Sequence, residues 1–535
     1  MQSNRFQKLF LLLFFLTIIV LTRFCFLNWG NSYFFNPDEN NMATSVAQMS
    51  YKNLNPNFFA YGQFPLFLTF FTTPAHNFSA IILTLRFWSA TFSCLSIYFF
   101  YLISKIIFKS QKISYLFVLL LVFTPGLIQS AHFGTTESIL VFVFSANILL
   151  SLKYFQQQKK KYLLFSILIS AIGLASKITA IFFVLPIYTC LFLLYLKNIS
   201  RPIKGYTRRA EGLNFILAAT VFTILFLILT TIFSPFNLIK FSDFKSSMIY
   251  ETTVATGKLK VFYTRQFENS LPYIFQFKNI FPYTNGIFIF MFSFIGFFVF
   301  LKSYFINHKS KLILILIIPS IIYFLYTGQI FVKWTRFMSP LFFIGPFFSL
   351  YFLNKIKNNF LIIIMVLLMI SPGLYFFQKY FQKDVRIYAS NFVKSNIPLD
   401  SFVLSESGNV VNFPIDYSSL YVENFNFYEL DSDKNNLNKL VDFLTLSDYI
   451  FIPSHRVFKN QNNKNYPLSQ SYYKNLFSKN LGFTEIKKIS NQKDLFLNSE
   501  NAEETWSVFD QPTIRIYKKN INLTPDDYQE LLSNN

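Results

Sequence analysis

Charge is what this sequence has least of. Charged residues fill 14% of 535 positions, against roughly 25% in soluble domains, while hydrophobic residues reach 53% and aromatics 20%. That balance excludes an ordinary soluble domain and predicts an integral membrane protein. The three cysteines, Cys25, Cys94 and Cys190, all lie within or beside apolar runs. They offer no disulfide framework and no metal-ligand spacing, and leave the redox compartment undetermined. Four histidines without paired spacing make no zinc motif. No P-loop, Rossmann glycine fingerprint or serine nucleophile elbow occurs, which argues against ATP-driven chemistry.

What is present is a series of long apolar segments. Taking about 20 apolar residues per span, about eleven are predicted: 8–28, 79–103, 113–131, 136–152, 162–175, 178–196, 213–233, 284–301, 311–328, 337–353 and 359–376. The first is too long for a signal-peptide core and lacks a small-residue cleavage site. The net charge of +22 is not a nucleic-acid footprint, because the basic residues sit between the apolar segments and read as topology. Arg5 and Lys8, Lys105 to Lys112, Lys159 to Lys161, Lys197 to Arg209, Lys302 to Lys311, and Lys355 with Lys357 all fall on one side when eleven spans are threaded. That side is expected to be cytoplasmic, with the N-terminus.

The other face then receives loop 29–78, short turns near 132 and 176, loop 234–283, turn 329–336 and the tail from 377. The expected organisation is a polytopic α-helical membrane domain over 1–376 and an extracytoplasmic soluble α/β domain over 377–535. In the tail, Ser401–Leu404, Tyr449–Ile452 and Thr513–Lys518 read as strands and Leu437–Leu446 as a helix.

Loop 29–78 opens with Asn36-Pro37-Asp38-Glu39. Locally this is a helix start: Asn36 as cap, Pro37 at the first position, and two carboxylates in the first turn, with Asn36 and Glu39 at capping-box spacing. Its surroundings make it more than that. Ionisable residues at span ends are candidate functional groups, and five basic ones are predicted on the same face: Arg86, Lys177, Arg265, Lys333 and Arg336. Glu137 joins Asp38 and Glu39, and Gln266 neighbours Arg265. Positive-inside bias depletes Lys and Arg there, so a bound anion, phosphate above all, accounts for their gathering. His132, a lone histidine at a span end, reads first as a satisfied polar residue and second as a ligand-facing one.

With these residues in view the sequence resembles the GT-C glycosyltransferases, membrane enzymes that include protein O-mannosyltransferases and the lipid A aminoarabinose transferase. Pro37-Asp38-Glu39 matches their acidic pair in residue type, spacing and topological position. Phe64-Pro65-Leu66 resembles their Pro-Leu turn, Arg86-Phe87-Trp88-Ser89-Ala90 a second-span start, and Gly173-Leu174-Ala175-Ser176-Lys177 a turn between the fifth and sixth spans. Glu251–Gly257, Thr264–Phe267, Trp334–Pro340, Ser447–Tyr449 and Glu504–Pro512 are similar to segments of bacterial members. The chain departs from the aminoarabinose transferases at Gln63 and Phe64, where they carry a lysine, and at Glu137, where relatives often have Asp.

The resemblance implies a sugar transferred from a polyprenyl-phosphate donor to an acceptor hydroxyl of lipid, glycan or protein on the extracytoplasmic face, with inversion. Asp38 would be the base, Glu39 an orienting or substituting carboxylate, and the five basic residues the phosphate ligands. Glu137, His132 and Gln266 form a secondary polar set. The predicted partners are the lipid-linked donor and membrane lipids, with no nucleic acid. No cofactor is implied, and a divalent cation stays open. Two rival readings are a flippase for lipid-linked sugars, against which the lack of internal repeats speaks, and a membrane-anchored binding protein whose tail does the work.

Overall fold

The computed structural model describes residues 2–199, 208–307, 311–408, 413–415, 419–490 and 495–533. Arg201, Lys204 and Lys309, used above for orientation, lie outside these residues. The chain divides into two compact units. One comprises Met1–Leu27, Asp38–Ala255 and Gln276–Gln378; the other comprises Asn28–Pro37, Thr256–Phe275 and Lys379–Asn535.

The first unit is helical. Its elements begin with α1 (Gln2–Phe24), α2 (Pro37–Ala47), α3 (Phe64–Thr72), α4 (Phe78–Phe108), α5 (Gln111–Val122) and α6 (Pro125–His132). There follow α7 (Glu137–Gln157), α8 (Lys160–Leu174), α9 (Leu185–Ile199, entered through a 3-10 turn at Ile178–Val184) and α10 (Arg208–Phe233). Next come α11 (Phe236–Ile239), α12 (Phe241–Ala255), α13 (Phe281–Thr284), α14 (Ile287–Asn307) and α15 (Leu314–Gln329). The last are α16 (Thr335–Met338), α17 (Ile344–Leu353) and α18 (Asn359–Gln378).

Every predicted apolar segment is occupied by helix, but fewer qualify as full spans. Among the described residues seven helices are long and apolar enough to cross a membrane, and nine if two bent pairs are each one span. The pairs bend by 57° between α5 and α6 and by 45° between Thr335–Leu341 and α17. Pro125, at the first position of α6, supplies a cause for the first break, since proline cannot donate to the preceding turn. The segment predicted at 162–175 falls on α8, whose 15 residues reach about 22 Å, short of the roughly 30 Å hydrocarbon core.

The second unit is a layered α/β fold. Its sheet has the order β2-β1-β3-β5-β4, with β1 (Phe402–Glu406), β2 (Tyr421–Phe425), β3 (Tyr449–Ile452), β4 (Phe483–Ile489) and β5 (Ile514–Lys519). The β1 strand runs parallel to β2 and β3, while β5 is antiparallel to β3 and β4. Alternation along the strands feeds two cores. Val403, Phe451 and Ile514 pack with α19 (Val385–Asn396) on one side. On the other, Leu404 and Ile450 pack with residues of α20 (Lys434–Leu446), α21 (Pro467–Phe477) and α23 (Pro525–Ser533). One short helix, α22 (Glu504–Ser507), precedes β5.

Candidate active site in the membrane unit

The α2 helix carries its buried residues at Glu39, Met42, Ala43, Ser45 and Val46. Positions 39, 42, 43 and 46 form one helical stripe, so Glu39 points inward with the apolar side chains. Asp38, about 100° around the helix, falls at the rim.

Each carboxylate meets its own arginine. Glu39 and Arg86 are both fully buried, and the guanidinium binds the carboxylate as a fork, Nε to Oε1 at 2.9 Å and Nη2 to Oε2 at 2.7 Å. Arg86 Nη1 donates to the Leu27 carbonyl at 2.7 Å, and the Gly134 amide donates to Glu39 Oε1. Only glycine allows that approach, since a Cβ at 134 would stand 2.7 Å from Leu85 Cβ and 3.4 Å from the Glu39 carboxylate. Asp38 pairs instead with Arg336 of α16. Their side chains keep 22% and 19% exposure, so this pair is reachable where the other is not. Arg336 also stacks on Trp334, 4.2 Å from the ring centre, and its Nε is buried with no hydrogen-bond partner among the described residues.

A third pair stands in the same cluster. Lys177 Nζ lies 3.4 Å from Glu137 Oε1 and 5.0 Å from the centre of the Tyr61 ring. The loop at Tyr61 is fixed by backbone pairing with the α8 end: Gly62 N–H donates to Ser176 O at 2.9 Å and Phe64 N–H to Ala175 O at 3.0 Å. A Cβ at Gly62 would meet Ala175 O at 2.0 Å, so glycine is required there. Gln63, buried, donates to Asn237 Oδ1 at 3.0 Å and accepts from Phe236 N–H at 3.1 Å. This residue, standing where the aminoarabinose transferases have lysine, thus fastens the loop to α11.

Tyr61 and Glu251 were not among the residues singled out for the site. Burial and the negative charge of Asp38 hold the Tyr61 phenol well above its usual range, against the pull of Arg336. Glu251, on α12, is raised mainly by burial, with Arg336 and Lys177 opposing. The amide of Val332 donates to Ala255 O at 3.2 Å, which ties the end of α12 to the strand of chain leading to Arg336. Among 31 tyrosines nothing in the sequence marked Tyr61; Glu251 lay in a segment noted only for its family likeness.

Other predicted residues fall elsewhere. Lys333 is buried and donates to Phe331 O at 2.9 Å; burial lowers its pKa. His132 sets Nδ1 2.8 Å from Ile128 O and Nε2 3.0 Å from Cys25 O, a staple between α6 and the chain after α1. Arg265 and Gln266 belong to the second unit, where the Arg265 guanidinium lies 4.0 Å from the Tyr466 ring centre. No group of three or more His, Cys, Asp or Glu placed to hold a metal occurs among the described residues.

Residues 65–235 match the sequence profile of the dolichyl-phosphate-mannose-protein mannosyltransferase family. Among solved structures the chain is similar to ArnT from Cupriavidus metallidurans bound to undecaprenyl phosphate. That pair shares 11% identity over 82% of this chain and 92% of the other, with a TM-score of 0.47. The apo form of the same protein gives 14% identity over 81% and 70%, with a TM-score of 0.43. Likenesses of that size carry no argument about this chain. No curated protein matches. The matched segment runs from α3 to just past the end of α10, so the likeness to a mannosyltransferase family covers part of the helical unit.

Proposed function

We propose that the chain transfers a sugar from a polyprenyl-phosphate donor to an acceptor hydroxyl, on the extracytoplasmic face, by single displacement with inversion, and that Asp38 is the base. The observation carrying this reading is the contrast between the two first-turn carboxylates: Asp38 is accessible and Glu39 is sealed. An accessible carboxylate held by one arginine can receive the acceptor's proton as the hydroxyl attacks the anomeric carbon. Glu39 and Arg86 act as positioning residues, fixing the helix start from which Asp38 projects.

The Asp38–Arg336 pair also couples the two ends of the reaction. When Asp38 gains a proton it loses the charge that holds Arg336. At the same moment the leaving polyprenyl phosphate gains negative charge. Arg336, with its unsatisfied Nε, and Lys177 stabilise it in this reading. Tyr61, kept protonated, supplies a hydrogen-bond donor beside them. An apolar cavity of about 170 Å³, lined by Tyr61, Leu174, Phe241, Phe244 and Met248 among others, suits the first isoprene units of the donor. Arg265, Gln266 and Lys333 receive no role in this step.

The test uses reconstituted protein and labelled polyprenyl-phosphate sugars, with release of polyprenyl phosphate as the readout. Wild type should cleave the donor, and Asp38→Asn should not. Undiminished turnover in Asp38→Asn would remove the base from this reading. Donor that crosses the bilayer uncleaved would point to transport.

A further inference from the structure

The α12 helix carries one residue that its pattern does not explain. Phe241, Phe244, Met248, Glu251 and Val254 recur every three or four positions and so form one row on the helix surface. The first three line the apolar cavity beside Tyr61, and Val254 is buried. The other charged residues of α12, Asp243 and Lys245, lie outside the row and are exposed. Glu251 alone brings a charge into it.

Its neighbours are the charges of the candidate site. Glu251 stands one turn beyond Met248, about 4.5 Å further along the axis, and the Val332 amide holds the end of the helix at Ala255 O. There it feels Arg336, Lys177 and Asp38. Those charges are already matched among themselves: Asp38 with Arg336, Glu137 with Lys177, and Glu39 with Arg86 in the sealed pocket. Glu251 is partly buried, and no described residue gives it a hydrogen bond or an ion pair. The cluster therefore holds one carboxylate in excess.

On the outward face of α12 such a group would simply be solvated, as Asp243 is. On the inward row it borders the ligand. If Phe244 and Met248 meet the isoprene chain and Lys177 and Arg336 the phosphate, the group that follows along the helix is the sugar. Transfer puts a proton on Asp38 and none on Glu251, so the acceptor oxygens of Glu251 stay available throughout. Sugar hydroxyls can donate to them, whereas a sugar carboxylate would meet a like charge that no local cation is free to offset.

We propose that Glu251 selects the transferred sugar, accepting hydrogen bonds from its hydroxyl groups and rejecting sugars that carry a carboxylate. The inference rests on the transfer reading for the position of the donor phosphate.

Donors that differ only in a CH2OH or a carboxylate on the sugar test it: the polyprenyl phosphates of glucose and glucuronic acid, mannose and mannuronic acid, and galactose and galacturonic acid. Each is given to the full chain in phosphatidylcholine nanodiscs, and its dissociation constant and its cleavage are measured in parallel. At least one neutral sugar should bind about ten-fold or more tightly than its acidic counterpart. Glu251→Gln keeps an acceptor oxygen and loses the charge. It should weaken the neutral sugar several-fold and strengthen the acidic one by about ten-fold, opposite changes that a damaged fold cannot produce. Asp243→Asn, which removes a charge from the exposed face of the same helix, should leave the ratio unchanged. Equal binding of neutral and acidic sugars by wild type, a ratio unmoved in Glu251→Gln, an equal shift in Asp243→Asn, or no binding of any pair would overturn the proposal. Binding that discriminates as expected while no donor is cleaved would leave the proposal standing and remove the transfer reading instead.

Discussion

Two carboxylates adjacent on one helical turn have opposite surroundings. Glu39 lies in a sealed pocket with a forked arginine and a glycine amide; Asp38 lies at a rim with an arginine that is still partly in solvent. The difference comes from helix phase, because Glu39 shares a stripe with Met42, Ala43 and Val46 while Asp38 does not. Burial converts one into a fastening and leaves the other chemically available. A motif of two acids therefore contains one structural and one reactive group, and the two should fail differently when altered.

The largest expected effect is on turnover. Asp38→Asn should lower donor cleavage by about 10²–10⁴-fold, the usual worth of a positioned acid or base, while thermal unfolding of the membrane unit stays near wild type. A comparable loss of stability would erase the contrast with Glu39.

The next effect is on stability. Glu39→Gln leaves Arg86 buried without its counter-charge and should cost about 3–5 kcal/mol, read by denaturant or thermal unfolding in detergent. Arg86→Met should cost a similar amount. The double variant should lose less than the sum, because the partners share one interaction. Strict additivity would show that the fork seen between them contributes little.

Gly62→Ala probes how the rim is held. Its Cβ would collide with Ala175 O, pushing the Tyr61 loop away from Lys177. A displacement near 1 Å in a positioned site is worth roughly 10²-fold in rate, so turnover should fall by about that factor. The control Gly212→Ala, where the nearest atoms are 3.9 Å away, should be close to neutral.

How much of this was legible in the sequence follows from the same physics. Apolar segments report helices directly, and all the predicted ones are helical, but length and proline breaks decide which are full spans, as at α8 and at Pro125. Strands β1 and β3 are apolar and β5 alternates, and each is legible in its pattern. The β4 strand, with Glu485, Lys487 and Lys488 on an exposed edge, and the partly exposed β2 gave no such signal. In the site, the gathering of basic residues suggested an anion. The structure pairs three of them with the three predicted carboxylates: Arg86 with Glu39, Lys177 with Glu137, and Arg336 with Asp38. Charge counting cannot see such pairing. The phase of Glu39 was readable from positions 39, 42, 43 and 46; Tyr61 was not, since only the backbone bonds from Gly62 and Phe64 to the 175–176 turn bring it to Lys177.

The smallest expected effect applies the burial rule to a group with no carboxylate partner. His455 is buried in the second unit, with Nε2 2.8 Å from Ser507 Oγ and the charges of Lys459 and Arg515 nearby. Its pKa is held well below the usual histidine value of about 6.5. The folded state therefore binds fewer protons than the unfolded state once pH falls below about 6.5, and by linkage stability must fall with pH there. Above that pH the group is neutral in both states and contributes no slope. One such group gives at most about 1.4 kcal/mol per pH unit. Unfolding of the second unit, followed through its tryptophan and tyrosine signals between pH 7 and pH 5, should show that decline, and His455→Asn should flatten it. Glu39, buried with its arginine, and His455, buried without a counter-charge, then represent the two ways a buried ionisable group can be kept: by pairing its charge or by giving it up.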